Sequence, residues 1–156
     1  MIVTDAVATA EPLLTIRRVS PEDAAAVAGL SVQLGYKATA AEIAQRIAAL
    51  GSCKAYQAVF VACRGPEIVG WIDVALSFDL QAPPYALIGG LVVKDDVRGL
   101  RIGKRLCDEA EAWSRTQGVS VLRVTSGSTR ADAHRFYLRE GFKDIKMSRV
   151  FEKNLG

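Results

Sequence analysis

The stretch from Tyr85 to Leu106 narrows the folds open to this chain more than any other. It begins with an aliphatic run, "YALIGGLVV" (85–93), suited to a buried strand yet broken by Gly89 and Gly90. Glycine loses more backbone freedom in a strand than any other residue and packs no side chain. Two together therefore predict a bulge or a place where other backbone comes close. "VRGLRIGKRL" (97–106) follows, setting Gly99 and Gly103 among Arg98, Arg101, Lys104 and Arg105 at the predicted first turn of a helix. That helix continues through Ile102, Leu106, Ala110 and Trp113 at helical spacing and ends at Gly118, which suits a C-terminal cap. A glycine-containing loop that enters a helix points unpaired N–H groups outward, and the helix dipole adds partial positive charge in the same place. With Arg and Lys beside it, such a loop suits a ligand carrying several phosphate oxygens. A Walker loop does not fit, since Gly99 to Gly103 is one residue too short and Arg105 stands where Ser or Thr would hold magnesium. No G-x-G-x-x-G fingerprint occurs.

The flanking chain alternates between strand and helix patterns. "LTIRRV" (14–19) reads as a strand, and Ser20-Pro21-Glu22-Asp23 as a helix start whose apolar stripe is Val27, Leu30 and Leu34, ending at Gly35. Thr39 and Glu42 have capping-box spacing before a second helix through Ile43, Ile47 and Leu50 that stops at Gly51. "YQAVFVAC" (56–63) and "EIVGWIDVALSF" (67–78), joined through Gly65-Pro66, predict a hairpin. In its second arm Trp71, Asp73, Ala75 and Ser77 share the face opposite Ile72, Val74, Leu76 and Phe78, which puts a carboxylate mid-strand among apolar neighbours. "VSVLRV" (119–124) is a strand, Thr129 to Asp132 has capping-box spacing before a helix closed by Gly141, and "FKDIKMSRVFEK" (142–153) predicts a last hairpin or pair of short strands. Elements in this order predict a single-domain, three-layer α/β fold with helices on both faces of the sheet.

At 156 residues the chain fits one domain, with residues 1–12 expected as a flexible lead-in and 13–156 as the folded body. Half of the residues are hydrophobic, but no apolar run approaches the roughly 20 residues that span a bilayer. The first residues lack the basic start and apolar middle of a secretory signal, so a cytoplasmic location without membrane attachment is expected. A net charge of +3, with the basic residues scattered outside the loop, argues against a nucleic-acid footprint and for one local anion site. Three cysteines without C-x-x-C spacing and a single histidine, His134, exclude a disulfide framework and a structural zinc site and leave no metal expected.

Taken together these stretches resemble the GNAT superfamily of acetyl-CoA-dependent N-acetyltransferases. Arg98-Gly99-Leu100-Arg101-Ile102-Gly103 is similar to the family's [QR]-x-x-G-x-[GA] loop at its first and last positions, with Arg101 in place of the middle glycine. "IGGLVV" looks like its fourth strand, and "AHRFYLREGF" resembles its A-x-x-x-Y-x-x-x-G-F helix-to-strand signature. The resemblance implies a mixed, mostly antiparallel sheet in which the fourth strand splays from the fifth and opens a wedge for the cofactor. It implies that the backbone of Leu91, Val92 and Val93 pairs with the pantetheine arm, and that Arg98, Gly99, Leu100, Arg101, Ile102, Gly103 and Lys104 hold the pyrophosphate. Tyr137 matches the tyrosine that protonates the leaving sulfur in many members.

The reaction so implied is attack of a neutral amine on the acetyl thioester. An alkylamine of pKa about 10.4 is mostly protonated at neutral pH, so a group must take its proton. Asp73 is a candidate to orient or deprotonate the amine, set against a scaffold role in which it pairs with an Arg or a backbone N–H. The acceptor expected is a small primary amine of aminoglycoside, polyamine or amino-acid type. The alternatives are a protein or peptide N-acetyltransferase and a non-catalytic acyl-CoA-binding or sensing domain. The role of His134 and that of Arg130, which stands where many members have asparagine, stay open, as does a homodimer.

Overall fold

The computed structural model describes residues 13–97 and 100–156. Five strands form one sheet in the order β1 (Leu14–Arg18), β2 (Gln57–Arg64), β3 (Glu67–Ser77), β4 (Tyr85–Val93) and β5 (Leu122–Val124). The first four are antiparallel to their neighbours, while β5 lies parallel to β4. Helices α1 (Ala24–Ser31) and α2 (Ala40–Leu50) follow β1, α3 (Ile102–Thr116) follows β4, and α4 (Ala131–Arg139) follows β5. The short β2–β3 turn is made by Gly65, at φ 60°, and Pro66.

The two faces of the sheet carry separate cores. Phe60, Ala62, Ile72, Val74, Ala86 and Ile88 pack against Ile102, Leu106, Cys107, Ala110 and Trp113 of α3. On the other face Val61 and Cys63, with Trp71 beside them, meet Ala24, Val27 and Ala28 of α1 and Ile43 of α2. The alternation of β2 and β3 thus feeds both layers, as strands covered on both sides must, with one interruption in β3, where the register slips between Gly70 and Ile68 and Val69 joins Ile72 on the α3 side. Arg17 clamps Asp23 with two bonds of 2.7 and 2.8 Å, tying β1 to the 3-10 turn (Pro21–Asp23) that precedes α1.

Several local expectations hold. Thr39 and Glu42 form a reciprocal capping box, and Gly35, Gly118 and Gly141 are left-handed at φ 83°, 83° and 93°. α2 ends at Gly51 as expected, although this glycine stays right-handed at φ −58°. Others do not. Thr129 to Asp132 forms no capping box, because α4 starts one residue later with Arg130 at its N-cap and Asp132 pairs with Arg135 instead. The last strands predicted over 142–153 are absent: residues 143–156 form no helix or strand and are all exposed. Strand-like alternation is present there, but these residues lack a neighbouring strand.

Candidate functional site

Pairing between β4 and β5 covers Ala86 to Ile88 and then stops. At that point the register of β4 against β3 slips, Asp73 lying opposite Gly90 and Val74 opposite Ile88, so Gly89 is the extra residue of a bulge. The bulge changes the phase of the strand. Before it Ala86 and Ile88 face the α3 core, whereas after it Leu91 and Val93 do. Backbone groups change phase too: the Ala86 N–H points to β5, where it donates to Val121, while the Lys94 N–H donates to Val69 on the β3 side. By alternation the Val92 carbonyl also faces β3, where it lies against Gly70, and Leu91 and Val93 present their backbone to the open side. This is a wedge, splayed where the sequence predicts it.

Asp73 sits at the apex of the wedge. Its Oδ1 accepts the Gly89 N–H at 2.9 Å. A Cβ on Gly89 would lie 2.3 Å from that oxygen, and a Cβ on Gly90 would lie 2.8 Å from the Trp71 ring, so both glycines are required by what β3 lays across them. Burial pushes the Asp73 carboxyl above the usual carboxylate range, and the N–H groups of Gly89 and Gly90 draw it part of the way back. The bulge backbone is therefore one partner of the mid-strand carboxylate. Trp71 and Asp73 share the sheet face that carries α1 and α2.

Tyr137 approaches from the opposite layer. It stands on α4 between Phe136 and Phe142, with ring centroids 5.2 and 5.5 Å away, both edge-on. Burial, with the Cys107 thiol nearby, pushes its phenol up to about 12, while Arg130 acts the other way. Phe136 reaches the entrance of α3, where a Cβ on Gly103 would be 3.1 Å from its ring. Gly103 therefore serves helix packing as well as the loop assigned to it from sequence. Arg101, the residue in place of the motif's middle glycine, has φ 59° and ψ 25°, and it is the only non-glycine with positive φ among the described residues. The loop thus keeps a glycine-like conformation despite the substitution.

The basic cluster is less uniform than its sequence suggests. Lys104 is paired with Asp108 one turn along α3, and Arg105 donates to the Leu14 carbonyl of β1 at 2.8 Å. The Arg101 carbonyl accepts the Arg105 N–H, but its guanidinium forms no hydrogen bond with the described residues, and Leu100 is half exposed beside it. Ile102, by contrast, is buried in the core. Arg98 and Gly99 lie outside the described residues. His134 is held 2.8 Å from the Gly127 carbonyl, a tether for the loop before α4. Nothing in the sequence marks Gln33, yet its side chain spans 60 positions to donate to the Val93 carbonyl and also accepts the Asp95 N–H, clamping the open end of β4.

Residues 34–142 match the model of the Acetyltransferase (GNAT) family. The aminoglycoside N(6')-acetyltransferase type 1 of Stenotrophomonas maltophilia is 31% identical over 139 residues, 85% of this chain and 88% of that one. The aminoalkylphosphonate N-acetyltransferase of Salmonella typhimurium is 39% identical over 84 residues, which span 53% of this chain and about half, 54%, of that enzyme. In fold, the chain resembles aminoglycoside 6'-N-acetyltransferase AAC(6')-Ih from Acinetobacter baumannii, with a TM-score of 0.79 at 17% identity over 92% of this chain and 100% of that one. It likewise resembles aminoglycoside N-acetyltransferase AAC(6')-Iy, solved in complex with CoA, with a TM-score of 0.81 at 15% identity over 93% and 97%. The chain belongs to the acetyltransferase (GNAT) family.

Proposed function

We propose that this protein acetylates a primary amine on a small molecule, with acetyl-CoA held in the β4–β5 wedge. The observation that carries the reading is the end of β4–β5 pairing at Ile88, which leaves the Leu91 backbone and the Val93 N–H open on a path toward Arg101 and the start of α3, while the Val93 carbonyl is held by Gln33. Those backbone groups suit the amides of a pantetheine arm, and the helix entrance suits a pyrophosphate. Val92 spends its carbonyl on β3 and contributes as a strand residue. Leu100 and Ile102 to Lys104 frame the entrance, Arg98 and Gly99 are assigned to it by motif, and Arg101 brings a guanidinium. Acetyl-CoA, when bound, supplies the thioester.

Asp73 and Tyr137 then divide the proton work from opposite layers. Asp73 keeps one oxygen on the bulge N–H and offers the other to a cationic amine or to a water that removes its proton; its raised pKa brings it closer to the working range of a base. Tyr137, pushed up to about 12, holds its proton throughout the neutral range. An ordinary thiol has a pKa of about 8.5, so Tyr137 serves as a hydrogen-bond donor to the sulfur while negative charge builds there. A small amine is favoured by the relatives, which are an aminoglycoside and an aminoalkylphosphonate acetyltransferase.

Thiol release from acetyl-CoA across a panel of aminoglycosides, aminoalkylphosphonates, polyamines, amino-acid amines and peptides tests the reading. Release with at least one small amine is expected. Release with peptides alone would make the acceptor a protein, and binding of acetyl-CoA without release for any amine would make the chain an acyl-CoA-binding module.

A further inference from the structure

Past the bulge, the two edges of β4 are held very differently. On the β3 side the Lys94 N–H donates to the Val69 carbonyl at 2.8 Å, and the Lys94 ammonium pairs with Glu67 and Asp96. On the open side, among the described residues, Gln33 is the one side chain that bonds the backbone after Gly89. Its Nε2 donates to the Val93 carbonyl at 2.8 Å, and its Oε1 accepts the Asp95 N–H at 3.2 Å. A strand lying alongside would engage the same pair of groups, the carbonyl of one residue and the N–H two places on. The carboxamide is a single rung of a strand that is not there, set directly after the Leu91 backbone and the Val93 N–H.

Local structure gives little reason for that rung. Gln33 lies in the 3-10 turn Val32–Leu34 at the end of α1, just before the chain turns through Gly35 at φ 83°. Its two bonds are exposed, so they compete with water, and holding a glutamine in one rotamer costs side-chain entropy. α1 is anchored without it, through the buried Ala24, Val27, Ala28 and Leu30. What the rung changes is the edge left for a ligand. An amide-bearing arm laid along β4 meets the Leu91 N–H and carbonyl and then the Val93 N–H, and finds the Val93 carbonyl taken. The arm therefore cannot slide one rung onward. Past Val93 the path turns to the entrance of α3, and there Nε2 covers a carbonyl oxygen that would repel a phosphate.

We infer that Gln33 is a positioning residue for acetyl-CoA: by engaging the Val93 carbonyl and the Asp95 N–H it ends the hydrogen-bonding edge of β4, fixes the register of the pantetheine arm and shields the phosphates from a backbone carbonyl. The inference rests on the acetyl-CoA reading of the wedge. It also ties the end of α1 to the cofactor strand through one side chain.

The test measures equilibrium binding to the full chain of acetyl-CoA and of S-acetylpantetheine, which has the arm and no phosphate. Gln33→Leu removes both bonds. It is expected to weaken both ligands roughly three- to tenfold, with kcat at saturating acetyl-CoA and KM for the amine within about twofold and the thermal midpoint within about 2 °C. Gln33→Glu keeps the acceptor for the Asp95 N–H, loses the donor and adds a negative charge. It should weaken acetyl-CoA more than leucine does but S-acetylpantetheine no more, the excess shrinking as salt is raised. A wild-type chain that binds neither ligand removes the wedge reading and this inference with it. Wild-type binding of acetyl-CoA with unchanged affinity in both variants overturns the inference alone, as does a Gln33→Leu defect seen in kcat and not in affinity. Should Gln33→Leu fail to fold, the contrast between the two ligands in Gln33→Glu, and its salt dependence, decide.

Discussion

Asp73 and Gly89 make one unit, a carboxylate seated on the N–H of a bulge, and its charge state bears on stability and, in the role proposed for it, on turnover. Because the folded pKa is raised, the group adds stability below the unfolded carboxylate pKa and takes it away as pH rises through the folded value. At neutral pH Asp73→Asn should therefore leave the thermal midpoint unchanged or slightly higher, since the amide oxygen can still accept the Gly89 N–H. In the proposed role kcat/KM for a cationic amine falls at least tenfold, about 1.4 kcal/mol, and the acidic limb of the pH–rate profile disappears. A lower midpoint with kcat/KM intact would return Asp73 to the scaffold. Tyr137→Phe keeps both ring contacts and should lower kcat by roughly 10²–10⁴-fold with little change in acetyl-CoA binding. With the phenol pushed up to about 12, no basic limb from Tyr137 is expected below that pH. Arg101 joins backbone strain to charge in one residue. A left-handed non-glycine costs about 1 kcal/mol, and glycine returns a similar amount as unfolded-chain entropy, so Arg101→Gly should keep stability within about 1 kcal/mol. Weaker acetyl-CoA binding in that variant, most marked at low salt, would show that the guanidinium meets the ligand. The residue's place in the motif was readable in the sequence, but its dihedral angles were not.

At the scale of elements, what could be read in advance was whatever depends on neighbours along the chain. The hairpin, the helical stripes, the left-handed glycines and the flaw in the 85–93 run are local patterns, and each leaves a trace in spacing or composition. Long-range partners leave none: Gln33 looks like any surface glutamine until Val93 is brought beside it, and Gly103 gives no hint of Phe136. The same reason explains the tail, whose alternation predicts strand but says nothing of which edge receives it. Packing between elements also changes what substitutions mean. Gly103→Val strikes the Phe136 ring and should disturb α4, so a loss of acetyl-CoA binding there would be read together with the near-ultraviolet signal of the aromatic cluster. Gly89→Ala drives a methyl into the Asp73 carboxylate and should cost about 1–3 kcal/mol. In an Asp73→Ala background most of that cost should vanish, and denaturant melts of the four proteins in the cycle measure the coupling.

For the molecule as a whole, stability is unevenly spread. Among the described residues every buried one lies between Asp23 and Ser114, so β5 and α4 rest on partial contacts and should exchange amide protons sooner than β2, β3 and α3. The bulge at Gly89 bears on the whole architecture in another way. Residues 86, 88, 91 and 93 share the α3 face despite the odd step from 88 to 91 because Gly89 is an inserted residue; without it the same side chains would fall into unbroken alternation on that face. A chain lacking that residue could run as an ordinary strand, its hydrogen-bonding groups in step with β5 beyond Ile88, and the slot beside Leu91 and Val93 would zip shut. The cleft proposed for acetyl-CoA is thus a frameshift in a sheet, created by a single added glycine.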